Sequence, residues 1–105
     1  MIISFVTALL AAEALPQEVR TRFKHAATCR VHTQMLPMIA NPDRESQRKA
    51  KAIYTYWIKT SDKLGLEAGL KADALKWEYL VIPITADETL LNGCVKEAIE
   101  AGALG

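Results

Sequence analysis

The chain has 105 residues, is half hydrophobic and about a quarter charged, and sets 13 Lys and Arg against 12 Asp and Glu for a formal net charge of +1. Such a composition excludes an intrinsically disordered segment, whose charge would be higher and apolar content lower, and it excludes collagen-like, coiled-coil-repeat and disulfide-scaffold classes. A chain of this size buries roughly two thirds of the surface that its unfolded form exposes, enough for one hydrophobic core without staples, so residues 1–105 read as a single domain.

The opening run Met1 to Ala12 carries no charge before Glu13 interrupts it. It is shorter than the about 20 apolar residues a bilayer span needs, so no transmembrane segment is expected. The first basic residue is Arg20. A missing basic n-region argues against a cleaved secretory signal, although Ala12-Glu13-Ala14 has the small residues of a cleavage site. Thr7 to Leu15 is rich in the good helix formers Ala and Leu, whereas Ile2 to Val6 is β-branched and aromatic and reads equally as a strand. Pro16 suits the first turn of a second helix whose stripe is Val19, Phe23, Ala26, Ala27, Val31 and Met35, ending near Leu36 because Pro37 disfavours the α conformation before it.

Asn41-Pro42-Asp43 is the clearest start signal, with Asn41 as cap and Pro42 at the first helical position. The helix predicted from about Pro42 to Lys63 carries Ala50, Ile53, Tyr54, Trp57, Ile58 and Leu64 at helical spacing, with Gly65 placed to end it. Residues 66–78 predict a shorter, weaker helix through Leu70, Ala74 and Trp77. The run Tyr79-Leu80-Val81-Ile82-Pro83-Ile84 is apolar, β-branched and broken by Pro83, which predicts extended backbone. Thr85-x-x-Glu88 has the form of a capping box, and a last helix from Ala86 carries Leu90, Leu91, Cys94, Val95, Ala98 and Ile99, with Gly102 available to stop it. The sum is an all-α bundle of four to five helices with one extended apolar segment near 79–84. The alternative is an α+β fold in which residues 2–6 and 80–84 pair as a two-stranded ribbon.

Cys29 and Cys94 stand 65 positions apart without a Cys-x-x-Cys motif, which predicts two free thiols in a reducing cytoplasm. His25, Cys29 and His32 fall at i, i+4 and i+7 and share a helical face, the minimal geometry of a three-ligand metal site. No fourth ligand or His-Glu-x-x-His motif accompanies them, and the basic neighbours Lys24 and Arg30 oppose a cation, so no metal or other cofactor is assigned. Glu97 and Glu100 read as part of a solvated face near Lys96. No nucleophile elbow, phosphate-binding loop or dinucleotide fingerprint occurs, and the chain is expected not to be an enzyme, a metal-dependent one being the last alternative.

Charge is unevenly spread. Residues 1–60 hold nine basic and four acidic side chains, a net +5, while residues 61–105 hold four basic and eight acidic ones, a net −4. Arg44, Arg48, Lys51 and Lys59 share one face of the third helix beside Tyr56, a pattern able to contact phosphates or an acidic partner, though the sequence pI near 7.8 is low for a nucleic-acid module. By elimination, the expectation is a cytoplasmic helical protein–protein interaction module of the regulator, inhibitor or adaptor type that self-associates, most simply as a homodimer, with a nucleic-acid-binding regulator as the alternative. The expected interface is Ile2, Phe5, Val6, Leu9 and Leu10, too densely apolar to leave a polar face, with a second apolar excess in Tyr79 to Ile84.

Overall fold

A computed structural model gives the chain from residue 2 to 105, with side chains described from residue 17 onward. The fold is all-α, with helices α1 (Ile2–Thr33), α2 (Leu36–Ile39), α3 (Arg44–Glu67), α4 (Ala72–Leu80) and α5 (Glu88–Glu100), and no strand among the described residues. The long helices α1 and α3 pack on each other, α5 lies against both, and α4 covers their far end. One continuous α1 replaces the two elements expected on either side of Pro16 and removes the strand alternative for residues 2–6. The expected interface residues Ile2, Phe5, Val6, Leu9 and Leu10 have side chains outside the described residues.

Local chemistry explains where the helices stop and start. Near the end of α1 the Thr33 hydroxyl donates to the Cys29 carbonyl at 2.7 Å, satisfying one of the last-turn acceptors. Pro37 sits in the first turn of the short α2, where its missing N–H costs nothing. The cap of α3 is Asp43 rather than Asn41: its carboxylate accepts from the Ser46 backbone N–H at 2.9 Å, which holds the Asp43 carboxyl below its ordinary value. Likewise α5 is capped by Asp87, which accepts from Leu90 N at 3.0 Å, because the hydroxyl of the expected cap, Thr85, is turned toward His32. Gly102, with φ +90°, follows the C-cap of α5 as expected.

Gly65 does not end α3. It is buried within the helix, and Gly69, at φ +87°, supplies the left-handed turn four residues later. The reason is packing: a Cβ on Gly65 would fall inside the Leu75 side chain and 3.0 Å from Phe23 Cε1, so the missing side chain lets α4 and α1 close on α3. Phe23, Ala27 and Leu75 form one cluster here, with Leu64, Leu70, Tyr79 and Ile82 against it. In α4 the residues packed into the core are therefore Leu75 and Tyr79, and Trp77 is 69% exposed. The helix also takes in Tyr79 and Leu80, so irregular backbone begins after Leu80 rather than at residue 79.

A second cluster joins Ala26 and Cys29 of α1, Ile53 and Trp57 of α3, and Cys94 and Ala98 of α5. At its centre Cys29 and Cys94 form a disulfide, with Cα atoms 5.4 Å apart. The predicted free thiols are corrected by this bond. Burying both cysteines at facing positions of α1 and α5 brings their sulfurs together, which a spacing of 65 residues does not announce. Trp57 Nε1 donates to the Cys94 carbonyl at 3.0 Å, tying α3 to α5 beside the bond. At the other cluster Arg30 Nη1 donates to Asp62 Oδ1 at 2.8 Å and lies 3.8 Å over the Tyr79 ring, while the Tyr79 hydroxyl donates to the same Asp62 oxygen at 2.8 Å. That network links α1, α3 and α4. Among the described residues no helix is long and apolar enough to cross a membrane.

Candidate functional site

The last turn of α4 and the residues after it place an apolar stripe on the outside. Trp77 and Leu80 in the last turns of α4, Val81 at its C-cap and Ile84 in the irregular segment beyond are 69%, 74%, 72% and 48% exposed. Leu75 and Tyr79 occupy the opposite face and anchor it to the core. Four large exposed apolar side chains within eight residues are more than the scattered singles an ordinary surface carries. Beside them runs a groove of about 260 Å³ lined by Phe23, Ala27, Thr28, Val81, Ile82 and Pro83, among others. That is below the roughly 300–1,000 Å³ of small-molecule sites and suits an inserted side chain. The apolar excess expected in Tyr79 to Ile84 covers three of these residues, and Trp77 is expected only as a position of the weak helix over residues 66–78.

The three residues read as a shared helical face separate in the fold. His32 is buried, its Nδ1 donating to the Thr28 carbonyl at 2.8 Å and its Nε2 accepting from the Thr85 backbone N–H at 3.1 Å. Those two bonds engage both ring nitrogens and leave neither for a metal. They also pin the segment before α5 onto α1. His25, by contrast, is half exposed, and its Nε2 donates to Glu97 Oε2 at 2.6 Å and lies 3.8 Å from Cys29 Sγ. The ligand atoms of His25, Cys29 and Glu97 all lie within 4.8 Å of one another. Glu97 was read as solvated face; the crossing of α5 over α1 makes it the partner of His25. An open cleft of about 580 Å³ borders this group, with Arg22, His25, Tyr56, Trp57, Glu97 and Glu100 among its walls.

On the basic face of α3, Arg48, Lys51, Tyr56 and Lys59 do line one shallow hollow, from which Arg44 is missing. Arg48 is already engaged by Glu45 through bonds of 2.8 and 3.2 Å, and the two lower and raise one another's pKa through that hydrogen bond and their mutual attraction. Tyr56 meets Trp57 edge-on with ring centroids 4.8 Å apart, so part of its ring is committed to the core. No protein-family model, curated protein or solved structure matches this chain.

Proposed function

We propose that the chain is a helical protein–protein interaction module, of the regulator, inhibitor or adaptor kind, that docks through the stripe Trp77, Leu80, Val81 and Ile84 onto a second copy of itself. The single observation that carries this reading is the exposure of these four large apolar side chains within eight residues, since such a patch stabilises nothing until it is covered. A second copy suits it because the charges of α4 and its N-cap, Lys71, Asp73, Lys76 and Glu78, sum to zero, so a two-fold pairing of α4 with α4 brings no net repulsion. The neighbouring groove then receives an apolar side chain of the other copy.

The disulfide supports an oxidising compartment over the cytoplasm expected from cysteine spacing. Sedimentation equilibrium between about 1 and 100 µM tests the association. The expected result is a mass near twice 11.6 kDa for the native chain and a monomer for Trp77→Asp/Leu80→Asp, whose circular dichroism should be unchanged because both side chains point to solvent. A native chain that stays at 11.6 kDa throughout, or a variant that associates as well as the native chain, overturns the reading.

A further inference from the structure

We infer that the Cys29–Cys94 disulfide is the oxidised state of a zinc site whose four ligands are His25 Nε2, Cys29 Sγ, Cys94 Sγ and Glu97. The two helices present the donors in pairs, His25 and Cys29 at i, i+4 on α1 and Cys94 and Glu97 at i, i+3 on α5, so each pair shares the face that looks at the other helix. Two thiolates, an imidazole and a carboxylate are the donor types of a tetrahedral zinc site, whose bonds of about 2.0 to 2.3 Å set neighbouring donors about 3.3 to 3.8 Å apart. The His25-to-Cys29 separation of 3.8 Å already fits. His25 and Glu97, at 2.6 Å, need to part by under about 1 Å to reach that spacing, and both side chains are half exposed. Cys94 Sγ stands outside the 4.8 Å group formed by His25, Cys29 and Glu97, so once reduction frees it from Cys29 it must turn toward His25 and Glu97 to complete the tetrahedron.

The surroundings agree with a cation entering from one side. Cys29 and Cys94 are shut off from solvent at 0% and 1% exposure, while His25 and Glu97 open onto the cleft beneath Trp57. Arg30, a basic neighbour in sequence that would oppose a cation, is drawn off to Asp62 and Ser61. Two thiolates and a carboxylate around Zn²⁺ leave one negative charge, and Arg22 lines the same cleft. The chemistry balances with a dithiol as reductant: the S–S bond breaks, two electrons and two protons pass to the cysteines, and the dithiol closes to a cyclic disulfide. Zinc binding then displaces the two thiol protons to solvent. The disulfide form has no thiolate to offer, leaving only His25 and Glu97, so the oxidation state decides whether metal is held.

The test uses cobalt(II) alone as the probe, added to the full chain after dithiol reduction and removal of excess reductant. One equivalent should bind to the reduced chain with thiolate-to-cobalt charge-transfer absorption and tetrahedral ligand-field bands, and the disulfide form should show neither. Zinc should displace the cobalt. His25→Ala and Glu97→Gln should each weaken binding at least about tenfold, the scale that even outer-shell partners of metal ligands reach. Absence of the charge-transfer band in the reduced chain overturns the site, as does a band that both substitutions leave unchanged, which would make the cysteines alone the ligands. If reduction unfolds the apo chain, zinc should restore its helical circular dichroism in the native chain, and failure to restore it equally overturns the site.

Discussion

Reducing the Cys29–Cys94 bond releases a constraint on the unfolded chain, and the chief part of its cost is set by the loop it closes. With the cysteines 65 positions apart, the loop-closure entropy is worth about 4 kcal/mol at 25 °C. Since a domain of this size is stabilised by only about 5–15 kcal/mol in all, that is a large share. The assay is urea unfolding followed by tryptophan fluorescence, on the oxidised chain and on the chain held reduced, both with a chelator so that no metal stands in for the bond. Trp57 is buried beside the bond and reports directly on that core. At a slope of about 2 kcal/mol per molar urea the midpoint should fall by about 2 M. The slope itself should rise on reduction, because the unfolded chain expands once the loop is opened. A midpoint change corresponding to less than about 1 kcal/mol refutes the reasoning, since the core around Ala26, Ile53 and Trp57 would then hold the helices together unaided.

Gly65→Ala gains helix propensity of about 1 kcal/mol yet forces a Cβ into Leu75, so chemical denaturation should show a net loss of about 1–2 kcal/mol. Combining it with Leu75→Ala should cost less than the two changes summed, the signature of a direct clash in a double-mutant cycle. Burial, foremost, and the bond to Asp62 push the Tyr79 hydroxyl above the usual 10.0, so the unfolded phenol ionises first. Its stabilising contribution is full below that value and is lost as pH rises through the folded pKa, and Tyr79→Phe should flatten the alkaline fall of thermal stability. Asp43→Ala should lower Tm, whereas Asp43→Asn keeps an acceptor for Ser46 N; as the folded carboxyl is depressed, its contribution is present above the unfolded value near 3.8 and lost as pH falls through the folded one, a dependence Asp43→Asn should remove.

The helical class and most element positions were legible in the sequence, because apolar spacing at 53, 57 and 64, and at 90, 94 and 98, follows from local periodicity, and Pro37 and Gly102 mark breaks through their own backbone limits. Which of several polar residues caps a helix was not legible in the same way. Asn41, Asp43, Thr85 and Asp87 all have capping chemistry, and the choice depends on which side chain remains free, as Thr85 shows by turning to His32. Gly65 carries the same lesson in the core: a glycine after a helical stripe reads as a stop, and only the approach of Leu75 and Phe23 makes it an interior position. Trp77 reads as a position of the weak helix over residues 66–78 and lies outside because Leu75 and Tyr79 already fill the face of α4 that meets α1 and α3. The cluster of His25, Cys29, Cys94 and Glu97 needs α5 laid across α1, a contact between residues about 65–72 positions apart. Periodicity decides which face of each helix is buried; pairings at that distance are decided by how the buried faces fit when they pack, and only the tertiary structure holds that information.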